Sequence, residues 1–142
     1  MTENPNLSRT ASNTATPRSL HLVENDDSLN LAMTIAQAID DRKGGDIALL
    51  KMADVSYLAD YFVVATGFSN VQVRAIARSI EDAVEEQWHR VPIRSSGQAD
   101  GRWVLMDYGD VVVHLFMPDE RDFYGLESFW AHAERIPFEA SA

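Results

Sequence analysis

Gly67-Phe68-Ser69 stands where an apolar, strand-like run gives way to a helix-like pattern, and it is the first candidate for chemistry in this chain. The first N–H groups of a helix have no intrahelical partner and lie at the positive end of the helix dipole, so such a junction can hold a phosphate. The same residues also have a structural use, because glycine permits a tight turn and serine is a frequent N-cap. The motif alone favours the structural use.

Enzymes that transfer nucleotidyl groups place two carboxylates on one face of a strand, as Asp-x-Asp, to hold Mg²⁺. No Asp-x-Asp follows Ser69 in this sequence. Asp107 and Asp110 are instead three residues apart and flank a glycine turn. A nucleotidyltransferase-like, nucleotide-binding enzyme that uses these two acids together with Gly67 and Ser69 is therefore the alternative hypothesis and not the favoured one.

His114 lies within an apolar run, where a neutral imidazole can ligate a metal or act as a base. A buried histidine that is satisfied by a hydrogen bond is the more frequent arrangement. The other histidines, at positions 21, 89 and 132, give no HExxH spacing. We therefore expect no catalytic residue, no bound metal and no cofactor.

The length and composition of the chain favour a single domain. Its 142 residues, of which 46% are hydrophobic, suffice for one compact core and are too few for two ordinary domains. The chain has no cysteine, which excludes disulfides and thiolate metal sites and fits a reducing cytoplasm. No stretch resembles a membrane span or a secretory signal. We expect a cytoplasmic protein without a membrane partner.

The formal net charge of −10 narrows the choice of partners. Proteins that bind nucleic acid gain most of their affinity from clustered Lys and Arg, so direct binding to RNA or DNA is disfavoured. A negative surface assists the approach of a basic protein, although it also serves solubility. Charge alone does not decide between these two uses.

Hydrophobic periodicity predicts eight elements in the order α, β, β, α, β, β, β, α. They are a helix capped by Ser28, strands over 46–55 and 61–66, a helix from Ser69 to about Trp88, an extended piece over 91–94, strands over 103–106 and 111–117, and a helix after Pro118. The long helix allows the strands that it connects to pair in parallel, whereas the turn at Gly109 forces an antiparallel pair. The predicted fold is therefore α/β, with a mixed β-sheet and flanking helices.

The stretch from Trp103 to Trp130 has the character of a docking surface. Phe123, Leu126, Trp130 and Ala133 recur at helical spacing and predict one amphipathic helix with acidic residues on its other side. Aromatic side chains are enriched in interface hot spots as well as in cores. We place the partner-binding surface on the hairpin turn and this helix; its predicted members are Asp107, Asp110 and Glu127 for charge and Tyr108, Tyr124 and Trp130 for contact area.

The two ends of the chain differ in composition from the domain at 28–137. Residues 1–27 are rich in Ser, Thr and Asn, with only scattered apolar side chains, and are expected to be a disordered tail. An organellar targeting peptide is the alternative, but acidic residues outnumber basic ones there. Residues 138–142 are expected to form a short C-terminal tail.

Several separated blocks resemble the Iojap family of bacterial and organellar ribosomal silencing factors. The resemblance runs from about Leu29 to Ala133. Its blocks are Asp46-Ile47, the run Asp60-Tyr61-Phe62-Val63-Val64-Ala65-Thr66-Gly67 followed by Ser69, the hairpin from Trp103 to His114, and Arg121 with Tyr124, Leu126, Glu127 and Trp130. The family pattern has Glu-Gly ahead of the hairpin tryptophan, whereas this chain has Ser96-Gly97.

The resemblance implies a mixed α/β fold with a nucleotidyltransferase-like topology but without catalytic acids, and no enzymatic activity. It implies a translational repressor that binds a large-subunit ribosomal protein at the intersubunit face. Such a protein blocks joining of the small subunit and lowers translation when nutrients are scarce. Family members often form homodimers, and the resemblance implies that option here as well.

Overall fold

The computed structural model describes residues 26–141, so residues 1–25 of the tail predicted over 1–27 lie outside the described part of the chain, whereas Asp26 and Asp27 belong to the start of the first helix. Helices and strands alternate along the chain. They are α1 (Asp27–Asp41), β1 (Gly45–Lys51), β2 (Tyr61–Thr66), α2 (Asn70–Trp88), β3 (Arg94–Ser96), β4 (Trp103–Asp107), β5 (Val111–Phe116), α3 (Pro118–Tyr124), α4 (Leu126–Phe129) and β6 (Glu134–Ile136).

The strands form one six-stranded sheet in the order β3-β4-β5-β2-β1-β6. The central neighbours β2 and β5 run parallel, and every other neighbouring pair is antiparallel. The prediction of a mixed α/β fold with flanking helices is confirmed. The nucleotidyltransferase-like topology stays a prediction.

One face of the sheet is covered by α1 and α2. Both helices turn an apolar stripe towards the strands, as their sequence periodicity predicts. In α2 this stripe consists of Val73, Ile76, Ala77, Ile80 and Val84, all of them buried. Alternate strand residues such as Leu49, Val63 and Val113 meet the two helices. This face carries the larger of the two cores.

The other face of the sheet is covered only in part. After β5 the chain crosses this face through α3 and α4 and returns to the sheet edge as β6, beside β1. Leu126, Trp130 and Ala133 pack on the β1 and β2 side of this face, over Leu50 and Phe62. The β4 side is left partly open, and Trp103 and Leu105 lie there half-buried. This open region is therefore a candidate binding surface.

The predicted single helix after Pro118 is wrong. Gly125 adopts a left-handed conformation, with φ of 54°, and ends α3 by donating its N–H to the Arg121 carbonyl. The chain restarts as the single turn α4 and then forms β6, which the sequence pattern did not predict. Glycine is the residue that most readily ends a helix in this way, so Gly125 divides the helical spacing into two short pieces.

The predicted cap of the first helix is also wrong. Asp26, not Ser28, is the N-cap of α1, and its Oδ1 accepts the Leu29 N–H at 2.9 Å. Its Oδ2 accepts the Tyr61 hydroxyl at 2.8 Å, which ties the start of the helix to β2. Ser28 lies within the helix, where its hydroxyl is within hydrogen-bond distance of both Asp60 and Asp110.

We predict that Asp26→Ala lowers the free energy of unfolding by about 1 to 2 kcal/mol, because α1 loses its cap. Asp26→Asn is the matched control, since asparagine caps a helix about as well as aspartate and should retain most of the stability. Urea unfolding of the three proteins measures the difference. An equal loss in both variants would show that the negative charge, and not the cap, is what stabilises this end of α1.

Candidate partner-binding surface

The turn between β4 and β5 is stabilised by the side chain of Asp107. Asp107 accepts the Gly109 N–H at 2.8 Å on one carboxylate oxygen and the Arg94 Nε–H at 3.0 Å on the other. Gly109 has a φ of 95°, which glycine adopts without strain. Asp107 therefore organises the turn and forms an ion pair with Arg94.

Tyr108 and Asp110, also in this turn, have structural surroundings. Tyr108 is 2% exposed and packs in the helix-covered core, which corrects the expectation that it supplies contact area. The Asp110 carboxylate accepts one hydrogen bond from Arg90 at 2.7 Å and another from the Ser28 hydroxyl at 2.8 Å. Burial alone would raise the pKa of Asp110, but these hydrogen bonds hold it below its ordinary value. Asp110 therefore joins the hairpin to α1 and to the segment that follows α2.

The two halves of the predicted docking surface lie at opposite ends of β5. The hairpin turn precedes this strand and α3 follows it. Six strand residues separate them, a distance of about 20 Å at roughly 3.3 Å per residue. The structure therefore does not bring Asp110 and Tyr124 together, and the partner-binding roles of the predicted residues other than the buried Tyr108 stay predictions.

The same separation disfavours the alternative enzyme. In the parallel pairing, Tyr61 lies beside Val111 and Thr66 lies beside Phe116. Gly67 is thus at the far end of the sheet from Asp107 and Asp110, and both of these acids are engaged by arginines. Ser69 caps α2 by accepting the Gln72 N–H at 3.0 Å, which is the structural use that the motif favoured. The four residues do not form one site.

A chain of ring contacts runs across the partly open face of the sheet. Trp130 contacts Phe62 with a centroid distance of 6.3 Å, and Phe62 contacts His114 at 4.8 Å. His114 lies 6.1 Å from Trp103, whose ring contacts Tyr124 at 4.5 Å. We call the accessible members of this region the aromatic face; they are Trp103, Leu105, Tyr124 and Trp130.

Exposure differs along the aromatic face. Tyr124 is 50% exposed, whereas Trp103, Leu105 and Trp130 are intermediate. Phe123, beside Tyr124, is 81% exposed. The predicted partner-binding residues include Tyr124 and Trp130 of this face but not Trp103 or Leu105. The alternation of Leu105 with the buried residues Val104 and Met106 was the available signal, since it places Leu105 on the other face of the strand.

His114 orients the Trp103 ring through a hydrogen bond. The Trp103 Nε1–H can only donate, so at 3.3 Å His114 Nδ1 is the acceptor, and the proton of the neutral imidazole is on Nε2. That Nε2 is buried and has no hydrogen-bond partner among residues 26–141. Burial lowers the pKa of His114 to about 4. The expectation of a histidine buried in the core is correct, but only one of its two nitrogens is satisfied.

Glu127 is committed to an arginine on α3. Arg121 donates to the two Glu127 carboxylate oxygens at 3.0 and 2.7 Å, and its third contact is with Thr66 Oγ1 at 2.8 Å. These hydrogen bonds from Arg121 hold the pKa of Glu127 below its ordinary value. The pair fixes the short helices to the end of β2, so Glu127 has a structural part in addition to its predicted role in binding.

The described residues give no support for a metal site or for a membrane-spanning helix. Within residues 26–141, no group of three or more His, Asp or Glu side chains is arranged to hold a metal ion. No helix in the same range is long and apolar enough to cross a membrane.

Comparisons of this chain with known proteins all indicate the same family. Residues 25–142 match the family described as ribosomal silencing factor during starvation. The ribosomal silencing factor RsfS of Bacillus subtilis is 47% identical over 98 residues, which is 69% of this chain and 82% of that protein. The chloroplastic protein Iojap of Arabidopsis thaliana is 38% identical over 115 residues, 80% of this chain and 48% of that protein. A crystal structure from Chromobacterium violaceum superposes with a TM-score of 0.70 at 36% identity, covering 80% of this chain and 93% of that one.

We predict that His114 makes folding sensitive to pH between about 6.5 and 4. Because its pKa is about 4 in the folded protein, the unfolded chain takes up a proton first as the pH falls below 6.5. Stability that is present above pH 6.5 is thus lost towards pH 4, by on the order of 3 kcal/mol.

His114→Asn is the matched variant, since an amide oxygen can still accept from Trp103 but does not titrate. Urea unfolding at a series of pH values should show a steeper loss for the natural chain than for the variant. Parallel curves would mean that His114 does not titrate in this way.

Proposed function

Because this chain belongs to the ribosomal silencing factor family, we propose that it binds the large ribosomal subunit through one of that subunit's basic ribosomal proteins, at the face that meets the small subunit. Occupation of this face prevents subunit joining and represses translation when nutrients are limiting. The family match is the observation that carries the proposal. The protein acts as a regulator in the cytoplasm and not as an enzyme. The homodimer implied by the sequence resemblance stays a prediction.

The aromatic face supports a protein partner. Interface hot spots are rich in Trp and Tyr, whose large rings bury much area at a small cost in side-chain entropy. Trp103 is held in place by His114 and by stacking on Phe116 at 4.9 Å, so it needs little reordering on binding. Tyr124 offers the most exposed ring of the four residues. We place the partner contact here, with Asp107 and Glu127 at the border.

The net charge supports the same class of partner. With a formal charge of −10, the protein is attracted to a basic ribosomal protein and repelled by the surrounding rRNA. Repulsion from RNA disfavours binding at other places on the ribosome. The charge therefore contributes to specificity and to the rate of encounter, while the aromatic face contributes residence time.

Inhibition by this mechanism requires only that the protein occupy the intersubunit face, and it needs no catalysed reaction. A folded domain that occupies the intersubunit face excludes the small subunit by volume alone. The acids and the glycine-serine turn that a nucleotidyltransferase would need lie at opposite ends of the sheet. Steric exclusion is thus the mechanism that agrees with the arrangement of this chain's residues.

We predict that a stoichiometric excess of the protein reduces the association of isolated large and small subunits. Light scattering at moderate Mg²⁺ concentration measures the extent of joining, and sedimentation should show the protein with free large subunits. An unchanged extent of joining would contradict the proposed function, whatever the fold.

We predict that Tyr124→Ala accelerates dissociation from the large subunit and weakens binding about thirtyfold, the effect of losing an aromatic hot spot worth about 2 kcal/mol. Because Tyr124 is half exposed, thermal unfolding should change little. Tyr57→Ala is the control, since Tyr57 is a fully exposed aromatic in the loop between β1 and β2 and lies outside the aromatic face. Surface plasmon resonance on immobilised subunits measures both rates. Equal binding by the two variants would exclude the aromatic face as the contact.

A further inference from the structure

A crevice of about 740 Å³ opens at the carboxyl ends of β2 and β5. These two strands are parallel neighbours, yet β2 leads into α2 on one face of the sheet and β5 leads into α3 on the other. The chain thus departs in opposite directions from adjacent strand ends. In open α/β sheets, this is the place where binding crevices form. Thr66, Phe68, Arg121 and Asp122 are among the residues that line the crevice.

The charges in the crevice favour a cation. The Arg121 guanidinium is already neutralised by Glu127 through two hydrogen bonds. Arg135 lies near enough to Glu127 to contribute to its lowered pKa. Asp46 and Asp122 make no side-chain hydrogen bond or ion pair within residues 26–141; Arg135 likewise forms no ion pair there, and the charged residues that line the crevice (Asp46, Asp122, Glu127, Arg121 and Arg135) together carry a net charge of −1. A phosphate-bearing ligand would meet these carboxylates, which disfavours it.

Asp46 is held in an unusual conformation. Its φ is 48°, in the left-handed region, and the register of β1 against β2 shifts between Gly45 and Ala48. The irregular backbone places Asp46 on the crevice wall and not within the ladder. Such local strain often accompanies binding sites, where the surrounding structure holds it in place.

Phe68 supplies an aromatic ring beside Asp46. A Cβ atom on Gly45 would lie 2.8 Å from Phe68 Cζ, so the ring rests directly on the glycine. Phe68 is nevertheless 59% exposed and lines the crevice. An aromatic ring next to uncommitted carboxylates is a suitable environment for a guanidinium group, which can stack on the ring and form paired hydrogen bonds with a carboxylate.

We infer that this crevice receives an arginine side chain from the protein to which the aromatic face binds. The inference rests on the proposed function and specifies the chemistry of the partner. The crevice is continuous with the proposed interface, because Gly125 and Glu127 line it while Tyr124, on the same turn, belongs to the aromatic face. Charge complementarity and this continuity identify the occupant as a basic side chain of the same partner.

The first test is binding to purified large subunits by the double variant Asp46→Asn/Asp122→Asn. Asparagine tolerates the left-handed region as aspartate does, so the backbone at position 46 is preserved. The control is Asp82→Asn/Glu86→Gln, which removes the same charge from exposed positions on α2, on the opposite side of the sheet. We expect about tenfold weaker binding for the crevice variant and less than about twofold for the control. Equal effects would overturn the inference.

The second test needs no ribosome. The ¹⁵N-labelled full chain is titrated with acetyl-Gly-Arg-Gly-amide, and the same peptide with citrulline in place of arginine is the control. We expect saturable amide shifts concentrated at Asp46, Phe68 and Asp122 with the arginine peptide alone, and their loss in the double variant. Shifts spread over the acidic surface, or equal shifts with citrulline, contradict the inference. Localised shifts with ATP in place of the peptide would show that the crevice accepts an anion, which would also contradict the inference.

The two tests separate the inference from the proposed function. If the natural chain binds large subunits but the crevice variant binds equally well and the peptide gives no localised shifts, the inference is wrong and the function stands. If the natural chain does not bind large subunits, the proposed function fails, and the peptide titration still decides whether the crevice accepts arginine.

Discussion

The parallel pairing of β2 with β5 forms the centre of the sheet and dictates how the other elements must pack. All twelve residues of these two strands are buried, so both faces of the pair must be covered. A parallel pair also requires a long connection, which α2 and the β3–β4 segment supply. The helices α1 and α2 cover one face, and the return of the chain through α3 and α4 covers much of the other. The layered architecture follows from the need to keep this central pair out of water.

Incomplete cover on the second face is what leaves a surface for binding. Two short helices cannot span the whole sheet, so the β4 side keeps Trp103, Leu105 and Tyr124 within reach of a partner. Beneath them, His114 stays neutral and accepts from Trp103, which orients the indole without adding a charge to an apolar layer. The protein thus holds an ordered aromatic surface on a rigid sheet. Rigid aromatic surfaces lose little entropy on binding, which suits the docking role that we propose for this face.

The acidic residues divide into two groups with different physical roles. Asp26, Asp107, Asp110 and Glu127 are bound to backbone or arginine donors and stabilise helix ends, the hairpin turn and the anchor of α3. Asp46 and Asp122 have no such bonds within residues 26–141 and lie where the sheet opens a crevice. The number of carboxylates in the sequence is therefore larger than the number that are free to meet a partner. The geometry of the ion pairs decides which carboxylates contribute to recognition.

The class of fold, most of the elements and the family could be predicted from the amino-acid sequence alone. Local patterns carry this information: the 3.6-residue periodicity of α1 and α2, the apolar runs of β2 and β5, and the glycine turn at Gly109. Other features could not be predicted in this way: Tyr108 is buried while Tyr124 is exposed, Asp110 and Glu127 are paired with arginines, and β6 completes the sheet. These outcomes depend on partners distant in the chain, such as Ser28 and Asp110, 82 residues apart, and Thr66 and Arg121, 55 apart. Burial and ion pairing are set by the register of the assembled strands, and no local pattern encodes that register for a side chain near a strand end.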